Sequence, residues 1–563
     1  MRSAGSRGST GRRRWRAAAP PHRVRDPRSP WNPRGPTPVS SPRTREASHG
    51  TRRTFLAGAA AAALTAATAT ACTGDSGAPR RSPATSRTPT RATTAAPADW
   101  TALARDLDGP LVRPGDADWP TARRLYNTRF DGLKSAAVAY VDHADDIRTA
   151  LAHARAHAVP VAIRNGSHSY AGWSSGTDRL IIDVSELSAV HASAGTAVIG
   201  AGAKLIDVYR ALAAKGVTVP GGSCPTVGIS GLALGGGHGM TTRAYGLTCD
   251  SLTQATLITA DGKELTVNAT ENKELFWALR GAGNAHFGIV TELRFTTHPA
   301  PRSVTGYLTW PWPKAAAVIS AWQDWGPDQP DEIWSSLHLE NTGSTPTVSV
   351  AVFSLGTYGE LQDAVDRLAD RVGASASGVS LRRRSYEESM ELYAGCSSFA
   401  DDAQCHLPGT TPGRSPEGAL DRETYSARSD FFDRPLDSTG VQTLLTRIQA
   451  VRGGSGSIAL TALGGTVNRV APTATAFVHR RSRVLAQYIA SWSANASGAA
   501  AESWLTSAHR AMRPHASGAA YQNYPDPTLT DWRRAYYGAA APRLTGLKKR
   551  YDPDRVFTCP QAL

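Results

Sequence analysis

The chain has 563 residues, of which 41% are hydrophobic and 19% charged, and its formal net charge is +15 at pH 7. This length provides two or three domains with sizeable cores, and the hydrophobic content is ordinary for a globular protein. Residues 1–53 hold fourteen arginines against two acidic residues, so the body of the chain from Thr101 onward is nearly neutral. The charge therefore excludes the argument for nucleic-acid binding through a basic surface, and it argues against obligate binding to a membrane surface.

The N-terminal region contains an arginine pair, Arg52 and Arg53, followed by an Ala/Thr-rich apolar stretch that ends near Ala71. This pattern predicts a basic leader with a twin-arginine export signal over residues 1–72, and its apolar part is too short for an integral membrane span. A disordered basic tail is the alternative interpretation. Cys72 stands where a lipoprotein signal places its acylated cysteine, so both an anchored and a freely secreted protein are open. Residues 73–100 have the composition of a flexible linker.

Short strands and helices alternate from Ser135 onward. Asp145 can cap the helix that follows the first strand, and a second helix, LIDVYRALAAKG, ends at Gly216. The first strand is not followed by the G-x-G-x-x-G spacing of a dinucleotide fold, so this alternation is not a Rossmann signature. Strands are predicted over 136–141, 159–164, 180–187 and 196–203. The apolar face of the first helix contains Ile147, Ala150, Leu151 and Ala154.

Two loops of this region carry residue types that are typical of catalytic or ligand-binding sites. One is RNGSHSYAGW, which contains His168, and the other is GSCPTVGISGLALGGGHGM, which places Cys224 before a run of glycines. Glycines at this density let the backbone come close to a ligand, as phosphate-binding loops do. Taken singly, His168 can be a loop histidine satisfied by the backbone, and Cys224 a small buried hydrophobe. A Cys–His hydrolase is a further alternative, whereas no metal site is predicted because no other Cys or His has zinc-ligand spacing.

Five segments occur in the order found in a known family. RNGSHSYAGWS and GSCPTVGISGLALGGGHG precede YGLTCDSLTQATLITADG, LFWALRGAGNAHFGIVTELRF and the C-terminal YQNYPDP…YYG…RLTGLKKRYDPDRVF. From about Leu133 to Phe557 the chain resembles the berberine-bridge-enzyme-like FAD-linked oxidases of the vanillyl-alcohol oxidase superfamily. The resemblance implies an α+β, PCMH-type fold of two domains. It has an FAD-binding domain over 133–300, an antiparallel-sheet substrate domain over 301–512, and a segment over 513–563 that returns to the FAD-binding domain.

The resemblance also implies a bicovalently bound FAD. In the family, the histidine of the first loop bonds to the flavin 8α-methyl group and the cysteine of the second loop bonds to C6, which assigns these roles to His168 and Cys224. The glycines are expected to let backbone N–H groups approach the pyrophosphate. The other residues expected to contact FAD are Arg164, Asn165, Gly166, Ser167, Ser169, Gly172, Pro225, Thr226, Val227, Gly228, Gly231, Gly235, Gly236, Gly237, His238, Gly239, Asp250, Gly288, Val290 and Asn523.

The C-terminal motif carries the expected catalytic base. Tyr521 matches the tyrosine that accepts a proton in resembling enzymes, and a phenol with a pKa near ~10 needs positive or hydrogen-bonding neighbours to act at neutral pH. Thr461 stands where many relatives carry an acidic residue, Gln or Tyr. Tyr521 is therefore expected to act alone or with Tyr170, and a buried structural tyrosine is the alternative interpretation.

The resemblance predicts an exported oxidase that removes hydride from a C–H bearing a hydroxyl of a sugar or glycoside and reduces O2 to H2O2. Val227 is expected to leave room for O2 beside the flavin. The alternatives are oxidative cyclisation or amine oxidation, a dehydrogenase with another electron acceptor, and a flavin-carrying surface protein without turnover. Cys396 and Cys405 bracket a loop that a disulfide can close in an exported protein, whereas Cys249 and Cys559 are unassigned. The particular substrate and the oligomeric state do not follow from the sequence.

Overall fold

The computed structural model describes residues 97–563, except 194 and 285. The predicted twin-arginine signal, Cys72 and most of the predicted linker lie outside the described residues. A helix already begins at Trp100, and the Asp99 side chain caps its first backbone N–H groups. The last residues assigned to the linker therefore belong to the folded body. Within the described part of the chain, no helix is both long and apolar enough to cross a bilayer.

Residues 97–299 form short strands interspersed with helices. The strands are β1 (Leu111–Val112), β2 (Ala137–Tyr140), β3 (Val161–Arg164), β4 (Leu180–Asp183), β5 (Val190–Ser193), β6 (Thr196–Gly200), β7 (Val217–Thr218), β8 (Leu252–Ile258), β9 (Glu264–Asn268), β10 (Ile289–Thr296) and β11 (His298–Pro299). The helices are α1 (Trp100–Asp106), α2 (Trp119–Ala122), α3 (Ala144–Ala156), α4 (Leu205–Ala213), α5 (Ile229–Leu234), α6 (Thr242–Tyr245) and α7 (Lys273–Ala282).

These strands form two principal sheets. The first has the order β1-β2-β4-β3, in which β4 runs parallel to both β2 and β3. The second has the order β5-β6-β10-β8-β9 and is antiparallel throughout, and β7 pairs with β11 beside it. Strands β2 and β4 are buried along their whole length, as expected of apolar strands in the parallel part of a sheet.

The predicted strands and helix α4 are present with shorter bounds, whereas α3 begins two residues before the predicted helix. Helix α3 buries the predicted face of Ile147, Ala150, Leu151 and Ala154. The predicted cap is wrong in position, because α3 begins at Ala144 and Asp145 lies in its first turn. There the negative charge of Asp145 interacts favourably with the positive end of the helix dipole. His143 is the N-cap residue and makes no side-chain capping bond. Helix α4 ends at Ala213, before the predicted Gly216.

Residues 303–512 build a second unit around one large sheet. Its strands are β12 (Ser303–Trp310), β13 (Ile333–Asn341), β14 (Thr347–Ser354), β15 (Gly378–Arg384), β16 (Tyr425–Phe432), β17 (Ser455–Ala462) and β18 (Val484–Ser491). They are antiparallel, in the order β15-β12-β14-β13-β17-β18-β16. The helices of this unit are α8 (Ala315–Trp325), α9 (Tyr358–Val372), α10 (Tyr386–Tyr393), α11 (Ser438–Gln449), α12 (Thr466–Arg469) and α13 (Ala499–Met512).

The two faces of this sheet have different chemistry because strand side chains alternate in direction. On one face, apolar residues such as Leu337 and Leu339 pack against helices α8, α9, α11 and α13 in a continuous core. On the other face, the intervening residues Ser336 and His338 line a cavity. The sheet therefore separates a hydrophobic core from the cavity.

The C-terminal segment returns to the first unit, as predicted. It contains α14 (Trp532–Tyr537) and α15 (Ala541–Tyr551). Trp532, Tyr537 and Leu544 pack in the same core as Leu275 and Leu279 of α7. This packing carries the C-terminal motif to the edge of the cavity.

Candidate active site

One large cavity lies between the loops of the first unit and the seven-stranded sheet. Its volume is about 2120 Å³, whereas pockets for drug-sized ligands hold roughly 300–1,000 Å³. The cavity has room for a dinucleotide cofactor together with a substrate. The residues expected from the sequence that line it are Arg164, Asn165, Gly166, Ser167, His168, Ser169, Tyr170, Cys224, Pro225, Thr226, Val227, Gly228, Gly231, His238, Gly239, Gly288, Val290, Tyr521 and Asn523.

His168 and Cys224 come from two loops that contact each other. His168 follows β3, and its Nε2 lies 2.8 Å from Oγ1 of Thr226 in the Cys224 loop. Burial lowers the pKa of His168 to about 3, so the imidazole is neutral at neutral pH. The Cys224 side chain is accessible from the cavity, but the protein around the thiol raises its pKa to about 12. The two loops thus present a neutral imidazole and a protonated thiol to one cavity.

Polar contacts with β4 and with Lys204 hold the start of the His168 loop in place. Arg164 forms a buried ion pair with Asp183, and Nζ of Lys204 donates to Oδ1 of Asn165 at 2.7 Å. Ser167 has φ +65°, a left-handed conformation that costs free energy in a non-glycine residue and often occurs at functional sites. Arg164 and Asn165 therefore have structural partners in addition to their places in the cavity wall.

Close packing between protein segments accounts for most of the glycines in the two loops. A Cβ on Gly166 would collide with the backbone of Thr226 and Gly228, and a Cβ on Gly235 would collide with the Asn523 side chain. Gly231 differs, because a Cβ there would meet no atom within 4 Å. Approach of the backbone to a pyrophosphate stays a prediction, and Gly231 is the glycine with open space for it.

Some expected cofactor contacts are not brought to the cavity. Asp250 is bound by both terminal nitrogens of Arg480, at 2.8 and 2.6 Å, and accepts the N–H of Leu247 at 2.9 Å. Its carboxylate is therefore engaged in an ion pair and does not line the cavity, and its contact with FAD stays a prediction. The other expected residues that do not line the cavity are Gly172, Gly235, Gly236 and Gly237.

Sequence reasoning missed two residues beside His168. The ring of Tyr126 stacks on the imidazole, with 4.0 Å between centroids and 22° between planes. Its hydroxyl donates to Oε1 of Glu423 at 2.9 Å. Tyr126 precedes the predicted FAD-binding domain and Glu423 lies in the loop before β16, so no local motif connected either residue with the site.

Tyr521 is almost fully buried at the cavity wall, with 2% of its surface exposed. Its hydroxyl oxygen accepts hydrogen bonds from the N–H of Gly237 at 2.8 Å and from Nδ2 of Asn523 at 2.9 Å. Burial raises the pKa of Tyr521, and these two donors act in the opposite direction. Because both donors point at the oxygen, they would stabilise a phenolate more than a phenol.

A second group of tyrosines lies around Tyr170. Tyr524 is its neighbour, with 4.8 Å between ring centroids, and Tyr425 lies edge-on at 5.4 Å. The hydroxyl of Tyr170 accepts a bond from Nε2 of Gln487 at 2.7 Å, and the hydroxyl of Tyr524 lies 2.8 Å from Nε2 of His238. Tyr524 follows Tyr521 by three residues, so the segment YQNYPDP brings two phenols to the cavity rather than one.

The seven-stranded sheet contributes the polar wall of the cavity. In β13, Glu340 carries a carboxylate whose pKa burial raises to about 7. Thr461 of β17 lies opposite Ser336, with 3.4 Å between the hydroxyl oxygens, so no carboxylate occupies this place in the wall. The sheet residues that line the cavity are Trp334, Ser336, His338, Glu340, Ala351, Tyr425, Ser455, Gly456, Ser457, Ala459, Thr461, Gln487, Ile489 and Ser491.

The remaining described cysteines differ in their surroundings. Cys396 and Cys405 form a disulfide. Cys249 is a buried free thiol, and Cys559 is a half-buried free thiol at the cavity edge. Of the described residues, Asp108, His143 and Asp146 lie close enough to share a metal ion. The Asp146 carboxylate already accepts backbone N–H groups there, which explains the cluster without a metal.

Buried polar atoms without protein partners line the cavity. Nδ1 of His238, Nδ1 of His286, Nε1 of Trp334 and Oε1 of Gln522 make no hydrogen bond within residues 97–563. Leaving such atoms unsatisfied costs about 1–3 kcal/mol each. A large polar ligand with ring nitrogens, carbonyls and phosphates satisfies both donors and acceptors, so the donor set and the volume fit FAD. The fold and this cavity define an FAD-linked oxidoreductase of the PCMH type.

Comparison with known proteins agrees with this class. Residues 135–268 match the family described as FAD binding domain, and residues 520–563 match the family described as berberine and berberine like. The chain is 31% identical over 463 residues to the uncharacterized FAD-linked oxidoreductase YgaK of Bacillus subtilis, covering 81% of this chain and 97% of that one. The chain belongs to the berberine-bridge-enzyme-like family of FAD-linked oxidoreductases.

Two further relatives have names that state a substrate. Aclacinomycin-N/aclacinomycin-A oxidase of Streptomyces galilaeus is 30% identical over 480 residues, covering 77% of this chain and 86% of that one. Chitooligosaccharide oxidase of Gibberella zeae is 28% identical over 478 residues, covering 81% and 92%. Among solved structures, BBE-like 1 of Physcomitrella patens superposes with a TM-score of 0.74 at 29% identity, covering 82% of this chain and 98% of that one.

Proposed function

We propose that this protein is an exported oxidase that removes hydride from a carbon bearing a hydroxyl, on a sugar or a glycoside, and reduces O2 to H2O2. The observation that carries the proposal is the shared cavity. Its one wall holds the two loops of His168 and Cys224, and its other wall is a sheet face of hydroxyl, amide, carboxyl and aromatic groups. Such a face suits a hydroxylated ligand, and relatives of this chain are named as oxidases of an oligosaccharide and of aclacinomycins.

The cofactor is proposed to be FAD bonded to both His168 and Cys224. When bound, FAD supplies the acceptor for two electrons and a proton. The neutral imidazole of His168 is a suitable nucleophile because its lone pair is not protonated. The thiol of Cys224 needs a base or the cofactor's own electron demand to lose its proton, since its pKa is raised to about 12. The two covalent bonds would fix the position of the flavin ring in a cavity that is large enough to admit a bulky substrate as well.

Tyr521 is the proposed base for the substrate hydroxyl. The donors on its oxygen, Gly237 N–H and Asn523 Nδ2, favour the phenolate that must form. Tyr170 is the proposed partner, because the amide of Gln487 donates to its hydroxyl in the same way. Thr461 offers only a hydroxyl where many relatives carry a stronger acid or base, so proton transfer falls to the phenols. Tyr524 is the nearest alternative base.

Export through the twin-arginine route is part of the proposal. The Arg52–Arg53 signal supports it, and so does the Cys396–Cys405 disulfide, because disulfides persist mainly outside the reducing cytosol. Fractionating cells that produce the full chain, with Arg52→Lys/Arg53→Lys as the matched variant, tests this part. Equal amounts of both proteins outside the cytoplasm would contradict it.

A peroxide-release screen tests the reaction itself. The holoenzyme is offered oligosaccharides, glycosides, simple alcohols and alkaloid amines, and each is scored by H2O2 formation in air and by bleaching of the flavin band without oxygen. Bleaching and peroxide with hydroxylated carbohydrates are expected. Bleaching with a carbohydrate but no peroxide would indicate a dehydrogenase, bleaching with amines alone would indicate amine oxidation or cyclisation, and no bleaching by any compound would indicate a protein without turnover.

A further inference from the structure

The imidazole of His168 is held on one ring face and at one nitrogen. Tyr126 stacks on the face at a centroid distance of 4.0 Å, and Nε2 is bonded to Oγ1 of Thr226 at 2.8 Å. When Nε2 donates this bond, the lone pair lies on Nδ1. Tyr126 and Thr226 together thus determine which way the nucleophilic nitrogen points.

Tyr126 is itself anchored at both ends. Its backbone N–H donates to the carbonyl of Ser167, the residue before His168, at 3.0 Å. Its hydroxyl donates to Oε1 of Glu423 at 2.9 Å, across 297 residues of sequence. The ring that packs on His168 is therefore fixed from the first unit at one end and from the second unit at the other.

The segment around Glu423 is held by hydrogen bonds that do not use the Glu423 side chain. The carbonyl of Glu423 accepts the N–H of Thr128 at 2.8 Å, and Nδ2 of Asn127 donates to the carbonyl of Tyr425 at 2.7 Å. Arg422 donates to the carbonyl of Leu125 at 2.7 Å. Replacing the Glu423 side chain leaves these three bonds in place, because none of them uses that side chain, so its effect on Tyr126 can be measured separately from them.

We propose that Tyr126 and Glu423 are positioning residues that orient His168 for covalent attachment to the flavin. The histidyl bond then forms only after the segment around Glu423 has packed against the first unit. This inference rests on the proposed covalent bond at His168. It goes beyond that proposal by assigning the orientation of the nucleophile to a residue of the second unit.

The proposed attachment reaction joins the His168 imidazole to the 8α-methyl carbon of the flavin, so the imidazole must be oriented towards that carbon. One C–H bond of the 8α-methyl group and the N–H bond of the imidazole are replaced by a C–N bond. The two hydrogens leave with two electrons, which dissolved O2 takes up as H2O2, so the flavin ends in its oxidised state. Since the imidazole must approach one carbon along one direction, restricting its rotation raises the rate of attachment.

The test uses the Cys224→Ala chain, in which His168 provides the one proposed covalent bond. Purified full-length protein is incubated with FAD in air, and flavin that stays on the polypeptide after denaturation is followed by in-gel fluorescence and by mass spectrometry. Flavin bound without a covalent bond is measured by absorbance before denaturation. We expect Tyr126→Leu and Glu423→Ala to slow attachment at least about tenfold while this non-covalent binding is retained.

Conservative and matched variants show whether slow attachment comes from a misplaced His168 or from a less stable protein. Glu423→Gln still offers an amide oxygen to the Tyr126 hydroxyl and is expected to attach flavin at nearly the parent rate. Tyr245→Leu removes another tyrosine–histidine stack, with His298 at 4.5 Å and 12°, away from the cavity, and is expected to change nothing. If Tyr126→Leu does not fold, Tyr126→Phe decides, because it keeps the stack and removes only the bond to Glu423.

The possible failures can be told apart. A Cys224→Ala chain without covalent flavin would contradict the proposed bond at His168 itself. Covalent flavin in that chain, with attachment at the parent rate in Tyr126→Phe and Glu423→Ala, would overturn the positioning role. Slow attachment in Tyr245→Leu as well would also overturn it, because any destabilised core would then produce the effect.

Discussion

The two walls of the cavity differ in how their residues are spread along the chain. The wall that we propose to bind FAD, the cofactor wall, is built largely from two short loops, around His168 and Cys224, and within each loop neighbours in space are neighbours in sequence. The wall that we propose to face the substrate, the substrate wall, is built from β13, β16, β17 and β18, with alternate residues facing the cavity. The first wall is thus a set of local motifs, and the second is a surface that exists only when the strands have paired.

Because the two walls are built differently, substitutions in them are expected to have different effects. The loops are constrained by packing and by an unusual backbone at Ser167, so we expect few substitutions to leave their residues in place. The sheet packs its apolar face in a core, so we expect it to tolerate changes at the alternate, cavity-facing positions. We therefore expect variants in the loops to affect the cofactor and variants in the sheet to affect the substrate.

The largest expected effect is on retention of flavin. His168→Ala and Cys224→Ala are each expected to keep flavin on the polypeptide after acid precipitation through the remaining bond, and only the double variant should release it completely. The measurement is flavin absorbance of the washed precipitate against the supernatant. Free FAD recovered from the denatured wild type would show that neither loop forms a covalent bond.

The next largest effect is expected on the rate of flavin reduction, from Tyr521 at the cavity wall. We expect Tyr521→Phe to keep the flavin and the fold while anaerobic reduction by a substrate slows by roughly 10²–10⁴-fold, because a general base is removed. Stopped-flow reduction measures this, with Tyr524→Phe as the matched variant from the same motif. A wild-type rate in Tyr521→Phe and a slow rate in Tyr524→Phe would transfer the role of base to Tyr524.

A smaller effect is expected from the cofactor wall at Val227, which lines the cavity between Cys224 and Gly228. Val227→Ile adds a methylene on the side where O2 is expected to approach the flavin. The variant should therefore slow reoxidation by air while it leaves anaerobic reduction nearly unchanged. Equal slowing of both half-reactions would indicate a general distortion of the loop rather than a path for O2.

The smallest effect is expected from the substrate wall, at Glu340. Its pKa is raised from an ordinary 4.5 to about 7 by burial, so the unfolded chain ionises at lower pH than the folded protein. The folded state therefore loses stability as pH rises from 4.5 towards 7, and the loss is complete above that range. Because the side chain is half-buried and partly screened, we expect about 1 kcal/mol.

Thermal unfolding of Glu340→Gln checks this expectation. The variant should unfold at nearly the wild-type temperature at pH 4.5 and about 2–4 °C higher at pH 8. Ser457→Ala, which changes the neighbouring position on β17, is the matched control and should show the same difference from wild type at both pH values. A pH-independent difference in Glu340→Gln would show that Glu340 is not the titrating group.

The sequence by itself determined the family, the α+β class and the two loops that we propose to bind FAD. Thr226 and Cys224 belong to one short motif, and a loop brings its own residues together whatever surrounds it. His168 lies in the other loop, and the resemblance to a known family predicted that it lies near them. Amphipathic patterns also located α3 and the strands before the first loop, since burial on one face requires a fixed period. These features depend on contacts between residues close in the chain.

Only the tertiary structure decided how the loops are completed. Tyr126 reaches Glu423 across 297 residues, Gln487 reaches Tyr170 across 317 residues, and Arg480 draws Asp250 out of the cavity wall into an ion pair. No local pattern marks such partners, because their side chains meet through the packing of separate units. The orientation of the cofactor histidine and the chemistry of the substrate wall therefore follow from strand register and from the packing between units, which a single sequence does not display.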